Sequence, residues 1–288
     1  MSMAPARRRV PAAVPDDDLG IFDAPGPRAR RRTALAGAVA LMLLAALVVA
    51  AMRQFAAHGQ LDAGKWALFT QWPVIRYLLT SLWATTQVTL VSAAIAVPFG
   101  ALLAVVRLSR HPLLSRPAGW YVELLRAVPL LLLIYAFLFG LPETGLRLPL
   151  FWQLVWPIVL TNAAVFAEIF RAGVRALPVG QSEAAFALGM GHVQCVRHVI
   201  LPQAVRQSAP ALVSQLVRLL KDSTLGYVVS FLELLNAAKV LGEYNHTILQ
   251  SYLVVAVVFV AVNLALAGLA DRLQRRLTGV SSAPQPEG

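Results

Sequence analysis

Three clusters of charge interrupt otherwise apolar stretches of this chain: Glu123 with Arg126, Glu168 with Arg171, and Arg218 with Lys221 and Asp222. Ionisable groups among apolar residues are costly in lipid and usually face a bundle interior or a water-filled cavity. The Glu–Arg spacing of three residues lets each pair neutralise itself on one helix. These clusters therefore read as interfacial ion pairs that hold helices together. Thr161, Asn162, Ser223 and Thr224 are deeper in their runs and uncharged.

Covalent chemistry has no such support. The nearest approach to a phosphate loop is GQLDAGKW at 59–66, which puts Trp66 where a magnesium-binding hydroxyl belongs. Neither H-E-x-x-H nor G-x-S-x-G occurs. His192 and His198 are six residues apart, on different faces of a helix, which argues against a metal pair. The single cysteine, Cys195, has no internal disulfide partner and reads as a free thiol. A chain like this can move a solute uphill only with energy from an ion gradient or from a partner.

The elements that carry these residues are membrane helices. Of 288 residues, 58% are hydrophobic and 14% charged, with mean hydropathy +0.66, against about a quarter charged in soluble domains. Six runs approach the roughly 20 apolar residues a span requires: Thr33–Met52, then about 81–106, 119–139, 150–170, 210–232 and 249–269. The first is too long for a signal-peptide core of about 7–15 residues and reads as a retained helix over 33–53. Pro98 and Pro129 interrupt their spans and predict bends. The expected fold is an all-α polytopic membrane protein.

With six spans both termini share a side. That side carries 20 of the 25 basic residues, the other only Arg53, Lys65, Arg76, Arg147 and Lys239. The positive-inside bias places both termini in the cytoplasm. It also accounts for the net charge of +11 along one membrane face next to anionic lipid, and excludes a nucleic-acid partner. Residues 1–32 form a basic, Pro- and Ala-rich arm expected to be disordered, as does the tail over 276–288.

One cytoplasmic loop, 175–206, is longer than a connection requires. Pro178 and Gly180 break the fourth span; Ser182 is a candidate N-cap for a short helix through Leu188, with Glu183 in its first turn. Gly189 suits a left-handed C-terminal position. Val193, Val196 and Ile200 then recur at helical spacing, and Pro202 is expected to end or kink the second segment. Helices this short need a surface to pack on: the protein's own, or a groove on another protein receiving Ala184, Ala185 and Leu188.

The motif Glu183-Ala184-Ala185, Gly189, Ile200-Leu201-Pro202 resembles the EAA loop of binding-protein-dependent ABC importer permeases. RAVPLLLL (126–133), AEIFRAGVRALPVGQSEAAFALGM (167–190), VILPQAVRQSAP (199–210) and LLKDSTL (219–225) look like its polar-amino-acid branch, over about 78–275. The segment FDAPGPRARRR (22–32) is similar to actinobacterial glutamate-uptake permeases. KDSTL reverses the Ser and Thr of the family's KDTSL, exchanging one small hydroxyl residue for another. The resemblance implies a type I ABC importer transmembrane domain, with five core helices (spans two to six) plus one extra N-terminal helix, in a bacterial cytoplasmic membrane. It also implies a second permease subunit, identical or related, and an extracytoplasmic solute-binding protein. ATPase subunits would bind ATP and Mg, leaving no cofactor in this chain and no enzymatic activity of its own. Glu183, Ala184, Ala185, Gly189, Ile200, Leu201 and Pro202 would couple to the ATPase, the charged clusters could serve a cytoplasmic gate, Thr161, Asn162, Ser223 and Thr224 would touch the solute, and the solute would be glutamate or glutamine. An ion-gradient transporter of small polar solutes is the alternative, and it leaves the long loop unexplained.

Overall fold

The computed structural model describes residues 26–109 and 111–278, and every regular element among them is helical. The chain divides into two units at Asp62–Ala63. The first contains α1, Pro27–Ala57. Its start corrects the expectation that disorder extends to residue 32. Pro27 in the first turn has its φ preset for a helix, and the arginines that follow are good helix formers. The rest of the expected arm, 1–25, lies outside the described residues, as does the tail from 279.

The second unit begins with α2, Ala63–Ala67, followed by α3, Trp72–Leu108, a 37-residue helix about 55 Å long at 1.5 Å per residue. It continues through Pro98 without a break. Its buried positions are Val74, Ser81, Thr85, Val88, Thr89, Ser92, Ala96, Gly100 and Ala104, one stripe at helical spacing. Small side chains there let the backbone of α7 approach closely. A Cβ at Gly100 would lie 2.6 Å from Phe166 Cβ and 2.8 Å from the carbonyl of Ala163. The hydroxyls of Ser81, Thr85 and Thr89 donate to carbonyls one turn back, which satisfies them where water is scarce.

The predicted third span is not straight. α4 (Pro112–Ala127) and the segment that starts with α5 (Leu130–Tyr135) meet at 99°. Val128 is extended (ψ 126°) because the Pro129 ring excludes helical geometry from the preceding residue. A π turn over Ala136–Gly140 and α6, Leu141–Glu143, complete this limb. α7, Leu150–Arg175, has the broadest buried face, from Leu154 to Gly173. It packs Leu154, Val155, Ile158, Val159 and Phe166 into the main core with Val88, Ala96, Ile134 and Leu219.

After the loop elements α8 (Gly180–Ala187) and α9 (His192–Cys195) comes α10, Leu201–Asp222. A 3₁₀ segment, Ser223–Val229, precedes α11, Leu234–Tyr244, and the limb bends by 43° between them. α12, Ile248–Thr278, follows; its last residues are helical where a tail was expected from 276. Among the described residues, α1, α3, α7 and α12 are each long and apolar enough to cross a membrane, and the two bent limbs bring the possible total to six.

Candidate functional site

The loop expected at 175–206 is built as a helix, a left-handed turn and a second helix that runs on into α10. α8 begins at Gly180, earlier than Ser182 was expected to cap it. The Ser182 hydroxyl instead donates back to Val179 O at 2.7 Å, so no side chain caps the first turn. At the other end Gly189 adopts φ +79°, with its N–H on Phe186 O and Met190 N–H on Ala185 O. That paired closure of a helix C-terminus needs the left-handed residue. Gly191 N–H donates to Gln194 Oε1 at 2.9 Å, opening α9.

Pro202 does not end the second helix. The chain passes from α9 through a π turn, Val196–Ile200, into α10, with Pro202 in the first turn. The wider turn accommodates the proline ring and its missing N–H without a break. Gln203 Nε2 reaches Gln181 Oε1 at 3.1 Å and holds the two limbs of the loop together.

The apolar face expected from Ala184, Ala185 and Leu188 is divided. Ala185 is buried, as is Cys195, while Ala184 is exposed with Glu183 and Leu188 is 80% exposed. Phe186, Val193 and Leu201 are also exposed, and Ile200 is half-buried. Ala185 is therefore spent on the loop's own packing, and Leu188, Phe186 and Val193 form the outward apolar surface.

Of the charged clusters, Glu168 and Arg171 pair within α7 as expected, and Arg107 adds ion pairs that join helices. Arg107 Nη1, in the last turn of α3, lies 2.7 Å from Glu168 Oε2 of α7, and Glu168 also pairs with Arg171. Glu123 of α4 does not pair with Arg126. It lies 3.7 Å from Arg107 Nη2, and Arg126 forms no ion pair among the described residues. The bundle geometry brings Arg107 closer to Glu123 than the helix surface brings Arg126. Arg107 is one of the 20 basic residues counted on the cytoplasmic side.

Asp222 departs from the expected ion-pair cluster as well. Its Oδ2 accepts from Asn162 Nδ2 at 3.1 Å, and Asn162 Oδ1 accepts from Gln215 Nε2 at 2.7 Å. Asn162 is buried near the middle of α7. Ser223 accepts from Thr89 at 3.3 Å, near the middle of α3. Both contacts place Lys221 and Asp222 level with the helix midpoints, deeper than the cytoplasmic half in which their charge was counted. Gln215 escaped the sequence reading, although it lies two turns before Asp222 and so on the same face. Thr161 Oγ1 is buried and has no hydrogen-bond partner among the described residues. Thr224 donates to Lys221 O at 2.7 Å and lines a groove with Lys221 and α12.

A bundle of membrane helices with a projecting helix–glycine–helix loop and a polar seam between α7 and α10 is the architecture of a transport-system membrane subunit. Residues 96–279 match the family described as binding-protein-dependent transport system inner membrane component. The chain is 37% identical over 229 residues to the glutamate transport system permease protein GluD of Corynebacterium glutamicum, covering 76% of this chain and 82% of that one. It is 32% identical to the probable glutamine ABC transporter permease protein GlnP of Bacillus subtilis, covering 71% and 95%. Among solved structures, an amino acid ABC transporter crystallised with histidines superposes with a TM-score of 0.67 at 30% identity, covering 70% of this chain and 94% of the other.

The chain belongs to the family of binding-protein-dependent transport system inner membrane components. It is a multi-pass permease subunit of an ABC importer for polar amino acids, with the type I importer fold, and permease subunits of this family are not themselves enzymes. The ion-gradient alternative falls with this assignment.

Proposed function

We propose that this permease carries glutamate or glutamine across a bacterial cytoplasmic membrane, with six spans and both termini in the cytoplasm. The solute reading is supported by the relatives named for glutamate and glutamine transport. A second permease subunit completes the path, and an extracytoplasmic binding protein delivers the solute. Partner ATPase subunits hold ATP and Mg and receive the loop that contains Glu183, Ala184, Ala185 and Gly189.

The observation that carries the coupling role is the placement of the loop. α8 follows directly on the end of α7, where Arg107, Glu168 and Arg171 tie α3 to α7. The loop turns Leu188 and Val193 outward, and its shape is fixed by the left-handed Gly189. A stiff element joined to a braced helix end can pass a partner's movement into the bundle. Arg107, Glu168 and Arg171 are in this reading the brace, and Thr161, Asn162, Ser223 and Thr224 belong to the path.

The test is uptake of radiolabelled glutamate and glutamine by proteoliposomes containing the complex assembled with its ATPase and binding protein, comparing wild type with Gly189→Pro. The variant is expected to reach the membrane and lose uptake and solute-stimulated ATP hydrolysis. Normal uptake by Gly189→Pro would remove the coupling role, and wild-type complex that transports neither amino acid would remove the solute assignment.

A further inference from the structure

α4 carries two apolar faces, where packing against the bundle accounts for only one. Ala118 and Val122 are buried, Val122 against Ala164 and Ala167 of α7. On the opposite side Leu113, Pro117, Trp120 and Leu124 recur at intervals of four, three and four residues and form a second, exposed stripe. Leu113 is 89%, Trp120 77% and Leu124 57% exposed. Arg116 and Arg126 lie between the two faces, are exposed, and form no ion pair among the described residues. Glu123, the one acidic residue of α4, is met by Arg107, so the uncompensated charge of this helix is positive.

Two contacts fix how α4 is turned. Tyr121 Oη donates to Leu160 O at 3.0 Å, near the middle of α7, so that side of the helix faces the bilayer centre. Glu123 stands about 160° round the helix from Tyr121 and lies 3.7 Å from Arg107, in the last turn of α3. The charged side therefore faces the membrane surface, and the stripe is directed sideways, away from the bundle. The limb after the bend runs along α7, with Ile134 in the core beside Leu154 and Ile158, and α4 meets that limb at 99°. α4 thus lies across the bundle axis. The limb consists of segments of 6, 5 and 3 residues, about 21 Å in all. Against a hydrocarbon core of about 30 Å it is about 9 Å too short, a deficit that α4 makes up by lying about that far below the surface. Amphipathic helices in the interfacial plane sink their apolar face by about 5–10 Å.

We propose that α4 is an in-plane anchor in the leaflet at the Arg107 end of α3. Leu113, Pro117, Trp120 and Leu124 lie among acyl chains, and Arg116 and Arg126 rest on the phosphates of anionic phospholipid. A tryptophan at this boundary suits its amphipathic ring, and juxtamembrane arginines are drawn to an anionic surface. Through Val122 and Glu123 the anchor is joined to α7 and α3, so it ties the braced end of the bundle to the surface. That leaflet is cytoplasmic on the sidedness proposed above; the lie of α4 and its lipid preference depend neither on that sidedness nor on the solute.

The test uses the complete complex with its ATPase in lipid vesicles. It carries a bimane on Leu113→Cys, Trp120→Cys or Leu124→Cys in a Cys195→Ala background, with co-purification of the ATPase confirming assembly. Quenching is read with phosphatidylcholine or phosphatidylglycerol brominated either near the carbonyl or near the methyl end of the acyl chain. All three labels are expected to be quenched alike, and more by the shallow bromine than by the deep one. At equal mole fraction, brominated phosphatidylglycerol is expected to quench about twofold more than brominated phosphatidylcholine. Arg116→Gln combined with Arg126→Gln is expected to remove that preference. Quenching that passes from shallow to deep bromine between the Leu113 and Leu124 labels would show a crossing helix, and no quenching would show a stripe covered by protein. Either result overturns the anchor, and equal quenching by the two headgroups overturns its preference for anionic lipid.

Discussion

Arg107 Nη1 donates to Glu168 Oε2 across 2.7 Å, tying the last turn of α3 to α7. Glu168 receives Arg171 as well, so one carboxylate is shared by two guanidinium groups on two helices. Removing it leaves two partly buried cations facing each other. Glu168→Gln is expected to cost about 2 kcal/mol, in the range of charge-assisted hydrogen bonds, seen as a lowered thermal midpoint of the detergent-solubilised protein. Arg126→Gln, at a residue outside this network, is expected to leave the midpoint unchanged. Equal losses for the two variants would contradict the assignment of the network to Arg107.

The crossing of α3 and α7 predicts a steric effect at Gly100. An added methyl would meet Phe166 Cβ at 2.6 Å and Ala163 O at 2.8 Å. Backbone cannot yield as a side-chain tip can, so Gly100→Ala is expected to destabilise by about 1–3 kcal/mol as an overpacked core. Gly268→Ala, in α12 with nothing within 4 Å of the added atom, is expected to be neutral or slightly stabilising. The same thermal measurement compares the two, and an unaffected Gly100→Ala would mean that the two helices are less closely packed than described.

Much of the helical framework was legible because lipid imposes a length and an apolar composition that few other structures share. What escaped depends on contacts between helices. The spacing of Glu123 and Arg126 reports neighbours on one helix surface, whereas the nearer cation, Arg107, arrives from α3. Pro98 and Pro129 look alike in sequence, yet α3 continues as one helix past the first and the chain turns 99° at the second. Counting charges by loop placed Lys221 near the cytoplasm, because hydropathy has no landmark for depth in a helix as polar as α10. Gly189 was legible for the opposite reason: a left-handed C-terminal position is a local demand that one residue type meets at little cost. Which residues of the EAA motif face outward was not local, and Ala185 turned out to be buried.

That left-handed position gives a graded prediction. At φ +79° a side chain with a Cβ costs about 1–2 kcal/mol, least for Asn, whose side chain bonds locally. Gly189→Asn is therefore expected to retain uptake within about twofold, and Gly189→Val to lose most of it, because a β-branched residue is poorly tolerated at positive φ. Uptake in proteoliposomes with the complete complex checks the order. If Val transports as well as Asn, the loop does not depend on this backbone conformation.

The seam between α7 and α10 allows a test by exchange. Asn162 bonds Asp222 through its amide nitrogen and Gln215 through its oxygen. Asn162→Ala leaves both partners unpaired and is expected to cost about 1–3 kcal/mol. Asn162→Asp should be worse, because it sets a second carboxylate against Asp222 in a poorly hydrated site, where like charges repel strongly. Adding Asp222→Asn to Asn162→Asp restores one amide facing one carboxylate, and Gln215 still has an oxygen to donate to. The double variant is expected to recover most of the thermal stability lost in Asn162→Asp. Additive losses in the double variant would show that the two side chains do not contact each other, and would withdraw the registration of α10 against α7 that fixes the depth of Lys221.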